Sequence, residues 1–193
     1  MNRRAMVMLA GVGLAVAISG QQAHDAGVSI ARAAEAQVGV TTIYDPSYVR
    51  LAYPGGDVPL ERGVCSDVVV RAFRAIDVDL QVEVHDDMRR HFDEYPDRWG
   101  LRSTDRSIDH RRVPNLMTFF VRQGKSVGDE AWREGDVVAW RLPNGLHHIG
   151  IVSTIQVPES DRPFVVHNIG LGAELEDLIG QLEVIGHYRW GMR

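Results

Sequence analysis

A short helix that begins at a cysteine constrains this chain more than any other stretch of it. Cys65 is the single cysteine among 193 residues, and it follows a loop rich in turn-forming residues, 53–59. Apolar residues stand three, four and seven positions after it, at Val68, Val69 and Ala72. This is the spacing of one helix face. The pattern predicts a helix that starts at Cys65 and packs its apolar face against another layer of the fold.

The thiol of Cys65 has two possible uses. In the first turn of a helix it lies at the positive end of the helix dipole, which favours the nucleophilic thiolate. Cysteine is also among the residues most often buried in cores, and this one lies on the apolar face. Asp67 and Arg71 stand four residues apart on the other side and are expected to pair. The helix alone leaves a nucleophile and a core residue both open.

The composition is that of an ordinary globular chain preceded by an export signal. Hydrophobic residues make up 45%, charged residues 24%, and the net charge is -5. The chain has no basic run, so nucleic acid is not expected as a partner. A basic start at Arg3 and Arg4 precedes an apolar run of about 14 residues, shorter than the roughly 20 that span a bilayer. We therefore expect a signal peptide over residues 1–19, no membrane span after its removal, and a secreted or periplasmic protein.

Helical patterns occupy the first part of the chain and strand patterns the last. Helices are predicted over 26–39, from Cys65 onward, over 85–92 and over 116–122, with Asn115 as the cap of the last. Four strands are predicted, over 137–140, 146–155, 164–169 and 184–190. The Pro143-Asn144-Gly145 turn is typical of a hairpin, so the sheet is expected to be antiparallel. This order indicates the α+β class, in one monomeric domain over 24–193.

Histidines on the predicted strands could serve a cysteine nucleophile, which needs a base and a third group to orient that base. His147 and His148 are adjacent, so on a strand their side chains point to opposite faces and only one is expected to meet Cys65. His167 and Asn168 alternate in the same way on the next strand. Either of these two residues could orient the histidine.

Several motifs in one order resemble those of the NlpC-type cell-wall peptidases, a papain-like superfamily. The residues Tyr53-x-Gly55-Gly56 followed by Gly63-x-Cys65-Ser66 resemble their loop and nucleophile motif. His148-Ile149-Gly150-Ile151 resembles their histidine motif, and Val166-His167 resembles their third position. The chain departs from the pattern beside the nucleophile, where Val64 and Asp67 replace an aspartate and a glycine. This departure affects the identity of the substrate more than the mechanism.

A second resemblance is narrower. The segment Asp109–Leu116, together with Gly145–Gly150, is similar to an uncharacterised family of exported bacterial proteins in the same superfamily, domain of unknown function 1287. The two resemblances imply a papain-like α+β fold, with the nucleophile at a helix N-terminus packed on an antiparallel sheet. They also imply a cysteine hydrolase that cleaves a peptide or amide bond of peptidoglycan by acyl transfer, with no metal or other cofactor.

The resemblance also implies roles for single residues. Cys65 is the expected nucleophile, His148 the base and His167 the group that orients it. His147 is then expected on the face away from the Cys65 helix, beside Ile149 and Ile151. Residues expected to contact substrate are Tyr53, Asp67, His110, Arg111, Arg112 and Asn168, and the paired arginines suit a carboxylate.

Two other functions fit part of the sequence. A non-catalytic cell-wall binding module would keep Cys65 in the core and use aromatic residues such as Trp99 and Trp132 to hold its ligand. A zinc hydrolase would use Cys65 with histidines such as His147, His167 and His187 as ligands. No HExxH or CxxC spacing supports the zinc site.

Overall fold

The fold was analysed in a computed structural model, which describes residues 8–191, with side chains from residue 22 onward. Of the predicted signal peptide, residues 1–7 and the side chains of 8–19 lie outside the described residues. Within the described part, no helix has both the length and the apolar character needed to cross a membrane.

Four α-helices come before the main sheet. They are α1 (Met8–Glu35), α2 (Cys65–Phe73), α3 (Leu80–Arg90) and α4 (Val113–Arg122), with 3₁₀ turns at Arg74–Ile76, Phe92–Glu94 and Asp109–Arg111. Helix α2 starts at Cys65, as predicted. Helix α4 starts before its predicted cap Asn115, because Pro114 stands in the first turn, where its missing N–H costs no hydrogen bond.

Five strands form an antiparallel sheet: β3 (Val137–Arg141), β4 (His147–Gln156), β5 (Pro163–Asn168), β6 (Ala173–Glu176) and β7 (Glu183–Tyr188). Their order in the sheet is β6-β5-β4-β3-β7. Two short strands, β1 (Ile43–Tyr44) and β2 (Arg62–Gly63), pair in parallel just before α2. The α+β class is confirmed, and β6 is an additional strand in a segment predicted as a connection.

Both faces of the sheet are covered. On one face, Ile149 and Ile151 pack in the main core with Ile30 of α1 and Val68 of α2. On the other face, Val152 packs in a smaller core, whose remaining fully buried strand members are Val138, Trp140 and Val165. Each such aliphatic side chain contributes about 1.5–3 kcal/mol through burial.

This packing overturns one sequence-based prediction about β4. Ile149 and Ile151 pack with the helices, so His147, which alternates with them, lies on the helix side. His148 shares the opposite face with Val152. The prediction that His147 lies on the face away from the Cys65 helix is therefore wrong.

Helix α1 is fixed to β4 at its C-terminal end. The Oε1 atom of Glu35 accepts hydrogen bonds from Ser153 Oγ at 2.6 Å and from the Thr154 N–H at 2.7 Å. Strand β4, which carries both adjacent histidines, is thereby held against the helical layer.

Candidate active site

The sulfur of Cys65 lies against the backbone of strand β4. Its side chain is buried, and the backbone of Ile149 is among the neighbours that act on the pKa of the thiol. Asn168 of β5 donates through Nδ2 to the Gly63 carbonyl oxygen at 3.0 Å, which fixes the chain two residues before the cysteine. Cys65 therefore lies beside the end of β4 that carries both histidines, with His147 on the helix side of the sheet and His148 on the opposite face.

Two cavities border Cys65. One has a volume of about 330 Å³ and the other of about 420 Å³. Both are lined by Tyr44, Leu146 and His147 as well as by the cysteine. His148 lines the second cavity only. A buried thiol thus opens onto space large enough for part of a substrate.

A chain of hydrogen bonds runs away from His148. Its Nε2 lies 3.0 Å from Nδ1 of His167, and Nε2 of His167 lies 2.8 Å from Oε2 of Glu176. An ionised carboxylate only accepts, so His167 donates to Glu176 and accepts from His148. These tautomers leave Nδ1 of His148 without a proton, as a general base requires.

Strand β4 can approach β5 at this point because residue 150 is a glycine. A Cβ atom at Gly150 would lie 2.8 Å from Cγ1 of Val165 and 2.8 Å from the Val166 carbonyl oxygen. No side chain fits there, and the close approach brings His148 within hydrogen-bonding distance of His167.

Burial favours the neutral forms of Cys65 and His148. It raises the pKa of the Cys65 thiol to about 12, although the N–H of Ile149 works in the opposite direction. Burial, and to a smaller extent nearby His167, lowers the pKa of His148 to about 3. Burial of the sulfur opposes the thiolate that the helix N-terminus is expected to favour, because a buried charge is costly. The proton stays on sulfur until a base removes it during attack.

Comparisons with known proteins find a family and a relative that are similar to this chain. A family described as "Domain of unknown function (DUF1287)" matches residues 31–190. The chain belongs to this family. A DUF1287 relative, "Uncharacterized protein YijF" of Escherichia coli (strain K12), is 53% identical over 167 residues, which are 84% of this chain and 81% of the relative.

Among solved structures, the DUF1287 chain is similar to "Structure of NlpC1 from Trichomonas vaginalis". The TM-score is 0.47 and the sequence identity 14%, over 85% of this chain. The DUF1287 chain spans 44% of the length of that protein.

Two predicted substrate contacts of the DUF1287 protein form an internal ion pair instead. Arg111 donates from Nε and Nη2 to the two oxygens of Asp67, at 2.8 and 2.9 Å, and both side chains are buried. Oδ2 of Asp67 also accepts from the Val64 N–H at 2.7 Å, at the start of α2. The predicted Asp67–Arg71 pair is wrong, since Arg71 binds Asp57. Asp67 and Arg111 hold the nucleophile loop in place.

Arg112 is the predicted arginine that lines the cavity while its own ion pair, with Asp109, is long at 3.7 Å. It lines the 330 Å³ cavity, and its guanidinium lies 4.2 Å from the centre of the Trp99 ring. Arg98 lines the same cavity, whose lining contains no Asp or Glu. The space next to Cys65 is therefore cationic on one wall.

The other predicted contacts are placed elsewhere. His110 is buried, its pKa lowered by burial to about 4, and it lines neither cavity next to Cys65. Tyr53 lines a separate groove. Asn168 bonds to Gly63 and not to a histidine. Of the two candidates to orient His148, the structure brings only His167 to it.

Two site residues were missed by the sequence analysis. Tyr44 borders both cavities, and its pKa is raised by burial and by the nearby Cys65 and Asp67. Glu176 ends the histidine chain. The alternation Glu174-Leu175-Glu176 is a strand pattern that could have placed Glu176 on the face of His167. Among the described residues, no three His, Cys, Asp or Glu side chains converge as a metal site would require.

Proposed function

We propose that this protein is an exported thiol hydrolase that cleaves a peptide or amide bond by acyl transfer. The observation that carries the proposal is the conjunction of a thiol at a helix start, bordering two cavities, with a base prepared by the His148–His167–Glu176 chain. A cysteine, a base and a group that orients the base are the parts that nucleophilic catalysis requires.

The proposed reaction begins when Sγ of Cys65 attacks the carbonyl carbon of the substrate. Its proton passes to Nδ1 of His148, and the backbone N–H of Cys65 stabilises the oxyanion. The protonated His148 then gives its proton to the leaving amine, and the C–N bond breaks to leave a thioester. Water, deprotonated by His148, attacks the thioester and releases the acid and the free thiol. Throughout, His167 and Glu176 hold the imidazole in one tautomer.

The cavity lining supports a substrate with a carboxylate near the scissile bond. Arg98 and Arg112 face no acidic residue in that lining. A guanidinium binds a planar carboxylate through two hydrogen bonds. Stem peptides of peptidoglycan are amides of this chemical type and are the proposed substrate. Arg112→Ala should raise KM about tenfold and leave kcat nearly unchanged, because it removes binding energy and no reacting group.

Digestion of purified peptidoglycan, followed by mass spectrometry of the soluble fragments, tests the function. Wild-type protein should release fragments that end at one type of amide bond, and Cys65→Ala should release none. Identical fragment profiles for the two proteins, on peptidoglycan and on a panel of other peptide amides, would refute a hydrolase that depends on this thiol.

Export is part of the proposal and rests on the basic and apolar start of the chain. N-terminal sequencing of protein recovered from the cell envelope should begin after Ser19 or within a few residues of it. A full-length protein confined to the cytoplasm would contradict this location.

A further inference from the structure

A second groove contains arginines that have no acidic partner. Its volume is about 950 Å³, and it is lined by His85 and by residues of two segments, 48–53 and 100–107. The lining includes Arg50, Arg102 and Arg106, and none of these guanidinium groups has a hydrogen bond or an ion pair within the part of the chain that the structure describes.

Four of the buried or partly buried arginines elsewhere in the described residues are used differently. The side chains of Arg71, Arg111, Arg122 and Arg189 each bind one or more carboxylates. Internal pairs of this kind hold loops and strands together. The three arginines of the groove contribute no such link, so their concentration at one place needs another explanation.

The single carboxylate in the groove lining is already engaged. Asp105 accepts through Oδ2 from the Tyr48 hydroxyl at 3.0 Å and through Oδ1 from the Ser107 N–H at 2.9 Å. Three guanidinium charges therefore face one carboxylate in the lining. The whole chain carries a net charge of -5, so the positive character is local to this groove.

Tyr53 and His85 form an aromatic wall of the groove. The two rings meet edge to face with centroids 5.5 Å apart, and the Arg106 guanidinium lies 5.3 Å from the centre of the Tyr53 ring. Nδ1 of His85 is buried and has no hydrogen-bond partner among the described residues. The groove thus offers cations, an apolar ring and an unused polar atom together.

One segment of the chain walls both this groove and the cavity next to Cys65. Arg98, Trp99 and Ile108 line that cavity, and the intervening residues 100–107 line the groove. A peptide that extends more than one residue beyond the scissile bond would run along this segment, from the cavity next to Cys65 into the groove.

We propose that the groove binds a second, carboxylate-bearing part of the peptide substrate, away from the bond that is cleaved. The inference rests on the proposed function for its choice of a peptide amide. Guanidinium groups suit carboxylates, and the negative net charge of the chain disfavours a long uniform polyanion such as nucleic acid. The protein therefore selects peptides with at least two acidic positions, one in each site.

Fluorescence anisotropy with the Cys65→Ala protein tests the inference, because that variant binds without turnover. The probe is a fluorescein-labelled peptide with four glutamates, and its control carries glutamine at those four positions. Neutralising Arg50, Arg102 and Arg106 together, each to alanine, should raise Kd for the glutamate peptide about tenfold, since each exposed charge contact contributes modestly. The glutamine peptide should bind weakly to every protein.

A matched triple variant, with the exposed Arg32, Arg90 and Arg133 each changed to alanine, removes the same charge elsewhere and should leave Kd within about twofold. An equal loss in both triple variants, or equal binding of both peptides, would overturn the inference. Inorganic phosphate that binds the groove where the glutamate peptide does not would also overturn it. Binding of the glutamate peptide together with a wild-type protein that hydrolyses no peptide amide would refute the proposed function and leave the groove as a peptide site.

Discussion

Replacing Arg111 should destabilise the protein far more than replacing its neighbour Arg112. Arg111 makes two charge-assisted bonds to Asp67 and a further bond to the Ser47 carbonyl oxygen at 3.2 Å. The side chains of Arg111 and Asp67 are only 2% and 4% exposed. Arg111→Ala leaves a carboxylate buried with the Val64 N–H as its remaining donor, and breaking a buried pair in this way costs about 3–5 kcal/mol.

This cost converts to a measurable shift in melting temperature. In a chain of 193 residues, each kcal/mol corresponds to about 2–4 °C, so Arg111→Ala should lower Tm by about 6–20 °C. Arg112 has a contact with the Trp99 ring and a 3.7 Å ion pair with Asp109. Arg112→Ala should cost about 0.5–1 kcal/mol, or roughly 1–4 °C.

Thermal unfolding followed by circular dichroism at pH 7 measures both shifts, and urea denaturation checks them at one temperature. A double-mutant cycle adds Asp67→Ala and the Asp67→Ala, Arg111→Ala protein. The two single changes should couple by about 1–3 kcal/mol, because each leaves an unpaired buried charge that the double change removes. Equal Tm values for Arg111→Ala and Arg112→Ala, or additive effects in the cycle, would refute the reasoning.

Three further predictions concern the reaction and use a turnover assay on the digested substrate. His148→Ala should lower kcat by about 10²–10⁴-fold, and His147→Ala by much less; the reverse order would assign the base to His147. Glu176→Gln should lower kcat by at least about tenfold and change the pH profile of kcat, because the amide can reverse the tautomer of His167. An unchanged pH profile would leave Glu176 with a structural role only. Alkylation of Cys65 by iodoacetamide should be slow at neutral pH, and its rate should rise about tenfold per pH unit towards pH 12, because burial raises the thiol pKa. A rate that reaches a plateau near pH 7 would show that the resting protein already contains a thiolate.

The nucleophile helix and the pairing of two histidines could be predicted from the sequence. The apolar spacing after Cys65 fixed the start of α2. Alternation left His167 and Asn168 both open, the family resemblance implied His167, and His148 does bond to His167. These inferences depend on local periodicity and on strands that are adjacent in the chain.

Other parts of the site depend on packing that local patterns do not contain. Alternation divides β4 into two faces, but both are covered, so it could not identify the face that packs against the helices. The partner of Asp67 is Arg111, 44 residues away, and not the residue one helical turn along. Glu176 lies in a segment whose glycines suggested a connection, and the short strand β6 forms there through pairing with β5.

The order of the site residues along the chain bears on how the protein is made. The thiol stands at residue 65, whereas the proposed base and the groups proposed to orient it stand at 148, 167 and 176. Gly63, beside the thiol, is held by Asn168, 105 residues later. During synthesis from the N-terminus, the cysteine emerges well before any of these partners. In the proposed mechanism the thiol therefore has no base during translation, and attack on neighbouring proteins is avoided until β5 and β6 have joined the sheet.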